Sequence, residues 1–324
     1  MVLRFCWSVV HEQHMSCHNT DAKLSRKQEG PDKDYENYRW KPTHCDLPRF
    51  DPKKFFELMR GMTLAFIGDS VGRNQMKSML CTLCQTSEPF DFASGDVVKL
   101  HLDAPDEDFM DFLPTFDVVV LSFGHWFAKQ SVYIYKNEIV GGQLWWPDNC
   151  RPKKVGSVAA FGISMETILT AIATYPNYTG LVIVCSYSPD HYEGGAWNTG
   201  GSCMGKLKPA LDAELAENSN TDKMHEQQMT GFNNAVKKLS RKSRLKLMDI
   251  TKAFQYWHDG HPGPYRNPEP NKKTKRRSNG EPPPQDCLHW CMPGPVDTWN
   301  QLVLEIIRRD SEGTESLPAA ETCL

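Results

Sequence analysis

Two stretches far apart in the chain, Gly68-Asp69-Ser70 and Asp286-Cys287-Leu288-His289, hold residue types that can share one proton-transfer task. A serine hydroxyl is a poor nucleophile until a positioned base takes its proton. A histidine three residues after an aspartate, in a turn or short helix, can lie on the same side as that aspartate. Asp286 can then hold one imidazole nitrogen of His289 while the other faces Ser70. This is the serine–histidine–aspartate logic, which is recognised by roles and not by chain order. A serine on the first turn of a helix also gains free backbone N–H groups to stabilise an oxyanion, the Ser70 N–H first. Each half alone is commonplace, since Gly-Asp-Ser is usually a turn and Asp-x-x-His usually a surface pair or cap.

The elements that must position these residues are legible nearby. Residues 63–67 form a continuous apolar run, Gly68-Asp69-Ser70 is a turn, and residues 70–84 continue with helical spacing through Val71, Met79, Leu80 and Leu83. Further buried strands are expected at 117–122, 181–185 and 245–249. Helices are expected at 53–60, around Phe161 to Ile172, after an N-cap at Thr221 with Met229, Phe232, Val236 and Leu239 on one face, and from Val296 to Arg309. Strands alternating with helices imply a mostly parallel sheet covered on both faces, with ligands outside the carboxyl ends of its strands. Ser70, Gly124 and the Gly-rich segment 188–203 all follow strand ends.

With 324 residues, 40% of them apolar, the chain can bury the core of one large α/β domain. Its net charge of −3 gives no argument for nucleic acid. Eleven cysteines suit disulfides in an oxidising lumen. Zinc bound by Cys81, Cys84, Cys287 and Cys291 is the weaker reading, because the second spacing is not that of a finger. Bridging Cys287 or Cys291 upstream, for instance to Cys203, would pin the base. Asn177-Tyr178-Thr179 is a glycosylation sequon. Asp103 to Asp108 lacks calcium-loop spacing and reads as a solvated loop. The basic, Pro-rich stretch 261–285 reads as a solvated loop, with steering of an acidic polysaccharide or nuclear targeting as lesser readings. No stretch reaches membrane-spanning length, and Met1 to Val10 makes a poor signal peptide.

Phe66-Ile67-Gly68-Asp69-Ser70-Val71-Gly72-Arg73-Asn74-Gln75 and Asp286-Cys287-Leu288-His289-Trp290-Cys291-Met292-Pro293-Gly294 resemble the two signature blocks of the plant trichome birefringence-like family, itself similar to the GDSL/SGNH esterases. Tyr38-Arg39-Trp40-Lys41-Pro42, Cys45-Asp46-Leu47-Pro48-Arg49-Phe50, Gly124-His125-Trp126, Ser188-Pro189-Asp190-His191-Tyr192-Glu193-Gly194-Gly195 and Trp197-Asn198-Thr199-Gly200-Gly201-Ser202-Cys203 carry the likeness between them. The resemblance implies an SGNH-like α/β three-layer sandwich over residues 35–310, preceded by an irregular segment 1–34 and followed by a tail 311–324. It implies a Golgi O-acetyltransferase acting on a cell-wall polysaccharide through an acetyl-serine. No cofactor or metal is expected to be resident, and the acetyl donor would be acetyl-CoA or a carrier. An acetyl esterase with the same triad, or a non-catalytic polysaccharide-binding protein, are the alternatives. Family members begin with a membrane anchor and a cysteine-containing segment, so this chain reads as a truncated or mis-started gene model.

The family likeness also exposes departures. Ser122 stands where many members carry an asparagine, which in the wider esterases donates to the oxyanion. The Ser122 hydroxyl, Asn74 or Asn198 could replace it, with the Gly124 N–H as second donor. Cys185 stands where members usually have arginine. His125 and His191 are lesser candidates for the base. Trp126, Trp145, Trp146, Trp197 and Trp290 could stack on sugar rings or simply pack.

Overall fold

The continuous apolar runs become the parallel strands of one sheet. The computed structural model describes residues 8–10, 38–41, 47–84, 98–128, 131–143, 154–197, 199–215, 219–239, 244–264 and 285–313. In chain order these form β1 (Ser8–Val10), α1 (Pro52–Leu58), β2 (Leu64–Gly68), α2 (Ser70–Cys84), β3 (Val98–His101), α3 (Glu107–Phe112), β4 (Val118–Ser122), β5 (Ser131–Tyr135), β6 (Glu138–Gln143) and α4 (Ser157–Ala173). There follow β7 (Leu181–Cys185), α5 (Asn220–Val236), β8 (Arg244–Met248), α6 (Thr251–Gln255) and α7 (Asp297–Ser311).

The main sheet has the order β1-β2-β4-β7-β8. Strands β2, β4, β7 and β8 run parallel, and β1 adds an antiparallel edge. Alternate residues feed two cores. Val119, Leu121, Val182 and Val184 pack with Phe161, Met165, Leu169 and Phe232 of α4 and α5. Val118, Val120, Leu181 and Ile183 pack with Phe55, Met79, Trp299 and Val303 of α1, α2 and α7. Burial on both faces explains why these strands read as unbroken apolar runs instead of alternating ones. Each fully buried large side chain contributes roughly 1.5–3 kcal/mol. The result is the expected three-layer α/β arrangement.

Several local expectations need correction. Ser8–Val10, inside the segment read as irregular, forms the edge strand. A second sheet of order β3-β5-β6 was not anticipated. Helix α5 is capped by Ser219, whose Oγ accepts from the Asp222 N–H at 3.1 Å while Asp222 Oδ2 accepts from the Ser219 N–H at 2.9 Å. Thr221 therefore lies inside the helix, and Val236 is exposed. Asp249 lies just beyond β8. The acidic stretch serves structure: Asp106 caps α3 through the Phe109 N–H, and Asp103 accepts from the Lys136 N–H. Residues 265–284 of the basic loop lie outside the described residues, as does Asn198. Among the described residues, no helix is long and apolar enough to cross a membrane.

At the carboxyl edge β2 and β4 end in register, with Gly68 opposite Ser122. A Cβ on Gly68 would lie 1.6 Å from the Ser122 carbonyl oxygen, so only glycine lets the chain turn there.

Candidate active site

Ser70 opens α2 directly after β2. The preceding Asp69 builds the corner. Its carbonyl accepts from the Arg73 N–H, starting the helix, and its Oδ1 accepts from the Val71 N–H at 3.0 Å. Oδ2 accepts from the Gly124 N–H at 3.0 Å and the His125 N–H at 2.9 Å, and the Asp69 N–H donates to the Ser122 carbonyl. Burial alone would raise the Asp69 pKa, but the His125 ring, 3.5 Å away, and these N–H donors hold it below its ordinary value. His125 is shifted the other way: burial opposes its charge, and Asp69 outweighs burial and raises it. The ring also contacts the Ser188 carbonyl through Nε2 at 2.8 Å and stacks on Tyr187. His125 is thus a buried strut of this corner.

The second stretch forms a tight turn around Asp286. Both Asp286 oxygens lie 3.0 Å from His289 Nδ1, and Oδ1 also accepts from the His289 N–H at 3.0 Å. With Nδ1 donating to the carboxylate, the lone pair falls on Nε2, the nitrogen a general base needs. The turn is fastened on several sides. Asp286 and Gly263 exchange backbone hydrogen bonds, the His191 N–H donates to the Cys287 carbonyl, and the Cys291 N–H donates to the Gly260 carbonyl. A disulfide joins Cys287 to Cys203, one of the pairings weighed from the sequence.

Asn74 brings the two stretches together. It lies one helical turn after Ser70, on the same face of α2. Its Oδ1 accepts from the Trp290 N–H at 2.7 Å and its Nδ2 donates to the Trp290 carbonyl at 3.1 Å. The residue next to His289 is therefore clamped to the helix that Ser70 begins. Among the described residues, no hydrogen bond joins Ser70 to His289.

The other candidates fall into different places. The Gly124 N–H, expected to face an oxyanion, donates to Asp69, and both polar ends of Asn74 are taken by Trp290. Ser122 is buried, its hydroxyl beside Gly72 of α2. Burial pushes the Cys185 thiol up, so Cys185 is a neutral core group. Trp290 is fully buried, with its indole N–H on Ser188 Oγ at 2.9 Å and its ring against Phe254 and His261. It cannot stack on a sugar in this arrangement. Trp126 is half-buried beside Gly124, and Trp197 is 56% exposed. The side chains of Cys45, Cys81 and Cys84, and residues Trp145 and Trp146, lie outside the described residues.

Three supporting residues were missed in the sequence. Ser188 links His125 to Trp290, Gln285 holds Ser202 Oγ and the Cys203 N–H, and His261 contacts the His289 carbonyl. Only Ser188 carried a signal, as a polar residue three positions after a buried strand on the ligand-binding edge.

The PC-Esterase model, described as a GDSL/SGNH-like acyl-esterase family found in Pmr5 and Cas1p, matches residues 47–96 and 86–306. Among relatives, the chain is 60% identical to Protein YLS7 of Arabidopsis thaliana over 90% of this chain and 66% of that protein. It is 60% identical to Protein trichome birefringence-like 18 of the same plant, over 88% of this chain and 61% of the relative. Xyloglucan O-acetyltransferase 1, also from Arabidopsis thaliana, is 35% identical over 86% of this chain and 72% of its own length. The chain thus spans somewhat under two thirds of the length of the first two. A Gly-Asp-Ser corner, an Asp-x-x-His turn and these matches place the chain in the PC-esterase family of GDSL/SGNH-like acyl-esterases, with trichome birefringence-like proteins as relatives.

Proposed function

We propose that this chain is the catalytic part of a polysaccharide O-acetyltransferase. The observation that carries the reading is the Asn74 clamp, which fixes the Asp286–His289 turn to the helix begun by Ser70. In the proposed reaction His289 Nε2 takes the Ser70 hydroxyl proton as Oγ attacks the acetyl carbonyl of a donor such as acetyl-CoA. The donor's leaving group departs with that proton, giving acetyl-Ser70. A polysaccharide hydroxyl then attacks the acetyl-serine, His289 takes its proton, and Ser70 is regenerated. The Ser70 N–H at the start of α2 is the proposed oxyanion donor, a type of contact worth about 10²–10³ in turnover. Gly124 acts indirectly, by fixing Asp69.

The relative named xyloglucan O-acetyltransferase 1 supports a cell-wall polysaccharide as acceptor. The Cys203–Cys287 disulfide fits an oxidising compartment such as the Golgi lumen. Hydrolysis is the second reading, favoured by the acyl-esterase description of the family. Water and sugar hydroxyl compete for the same acyl-enzyme. Incubating the protein with an acetyl donor and de-acetylated xyloglucan, xylan, mannan or pectin separates the two. Transfer to one polymer, lost in Ser70→Ala, is the expected result; release of acetate without transfer selects the esterase. Transfer undiminished in Ser70→Ala contradicts the mechanism.

A further inference from the structure

Behind the Asp286–His289 turn, two further histidines bridge one carbonyl to another. His191 Nε2 lies 3.0 Å from the Gln255 carbonyl oxygen, and His191 Nδ1 lies 2.7 Å from His261 Nε2. His261 Nδ1 in turn lies 2.8 Å from the His289 carbonyl oxygen. A carbonyl oxygen only accepts, so His191 Nε2 and His261 Nδ1 must each carry hydrogen. In two neutral rings no proton then remains, and His191 Nδ1 would meet His261 Nε2 lone pair to lone pair. One additional proton between them turns that repulsion into a short N–H···N bond. Turning either ring over would put carbon atoms at contacts too short for carbon.

The surroundings pull both ways on an added charge. His261 stacks on Trp290, ring centroids 4.1 Å apart at 25°, and an indole face attracts a cation. The Asp286 carboxylate also favours charge on His261. Against this, burial pushes His261 down to about 4, and burial followed by the charge of His261 pushes His191 well below its ordinary value. The His258 ring lies 6.1 Å from that of His191, and Lys206, paired with Glu193 at 2.7 Å, sets positive charge toward His191.

We infer that His191 and His261 are a proton-sharing positioning pair that holds the His289 main chain, and through it the base, in place. The inference rests on His289 acting as the base. Losing the shared proton must open one of the three contacts, and two of those anchor the pair to the main chain at Gln255 and His289.

The test has a spectroscopic arm and a kinetic arm. In protein labelled with ¹⁵N-histidine, the wild type should show one far-downfield, exchange-protected proton between the two rings, absent from His261→Asn and His191→Gln. Two neutral rings without such a proton would overturn the inference. In hydrolysis of p-nitrophenyl acetate, His261→Ala should lower kcat by roughly 10–100-fold, as expected of a misplaced base, with KM within about twofold. His261→Asn places an amide N–H where Nδ1 stands and should recover most of that loss. Equal kcat in the two variants, or wild-type kcat in His261→Ala, would also overturn the pair's role. If His289→Ala leaves hydrolysis intact, the proposed function fails, while the proton signal still reports on the pair.

Discussion

Replacing Asn74 by alanine removes both hydrogen bonds between α2 and the Trp290 main chain while leaving Ser70, Asp286 and His289 untouched. Asn74 is 6% exposed and Trp290 is 0% exposed, so the Trp290 N–H and C=O lose their partners in a buried setting. Each such group left unsatisfied costs about 1–3 kcal/mol, which gives roughly 2–6 kcal/mol for the pair. Water entering the vacated space would bring the loss toward the lower half of that range. At roughly 2–4 °C per kcal/mol for a domain of this scale, the midpoint of thermal unfolding should fall by about 5–10 °C. The kinetic effect should be larger than the thermal one suggests. A base displaced by about 1 Å costs on the order of 10²-fold, so kcat for p-nitrophenyl acetate should fall by about that factor with KM little changed. Asn74→Asp separates packing from hydrogen bonding: it keeps the acceptor for the Trp290 N–H but sets a carboxylate oxygen against the Trp290 carbonyl, and should be no better than alanine. An Asn74→Ala protein with the unfolding midpoint and kcat of the wild type would refute the reasoning.

Other perturbations probe the frame around the site. Cys203→Ser opens a bridge spanning 84 residues and should lower the unfolding free energy in urea, by up to roughly 4–5 kcal/mol on a chain-entropy basis; an unchanged midpoint would contradict a bridge at Cys287. Gly124→Ala puts a Cβ 2.8 Å from the Tyr187 ring at a φ of +148°, and should destabilise by about 2–3 kcal/mol. Gly61→Ala, with φ +71° but open space, should cost only about 1 kcal/mol, and equal losses would speak against the crowding at Gly124. The Asp69–His125 pair predicts a pH dependence of stability. Asp69, lowered from 3.8, contributes fully above 3.8 and loses its contribution as pH falls through the depressed value. His125, raised from 6.5, contributes fully below 6.5 and loses its contribution as pH rises through the elevated value. The stability advantage of wild type over His125→Gln should therefore be greatest between pH 3.8 and 6.5 and shrink toward alkaline pH; a pH-independent difference in urea titrations would rule this out.

What was legible in the sequence was whatever rests on local pattern or chemical necessity. Strands β2, β4 and β7 were readable because both of their faces are buried, leaving no polar alternation to confuse the pattern. The Asp286–His289 turn was readable because three-residue spacing places the two side chains together. The β3-β5-β6 sheet was not, because its strands are only partly buried. Its hairpin turns at Lys136-Asn137, both at positive φ, where Asn-Gly or Asp-Gly would have been the recognisable signal. The allocation of hydrogen bonds was equally hidden. Nothing in Asp69-Ser70 says that the aspartate will take the Gly124 N–H, and nothing in the spacing says that Asn74 will bond to the main chain of a residue 216 positions away. Trp290 looked like a rim aromatic because it follows His289, but the turn directs it inward, between His261 and Phe254.

The central claim is that Ser70 and His289 work as nucleophile and base at one edge of the sheet, and peptide-level mass spectrometry of protein incubated with an acetyl donor tests it most directly. The account predicts one acetyl group, on Ser70, which fails to accumulate in His289→Ala and is discharged on adding the polysaccharide acceptor. Acetylation on another residue, or an acetyl-Ser70 that forms equally well without His289, would contradict it.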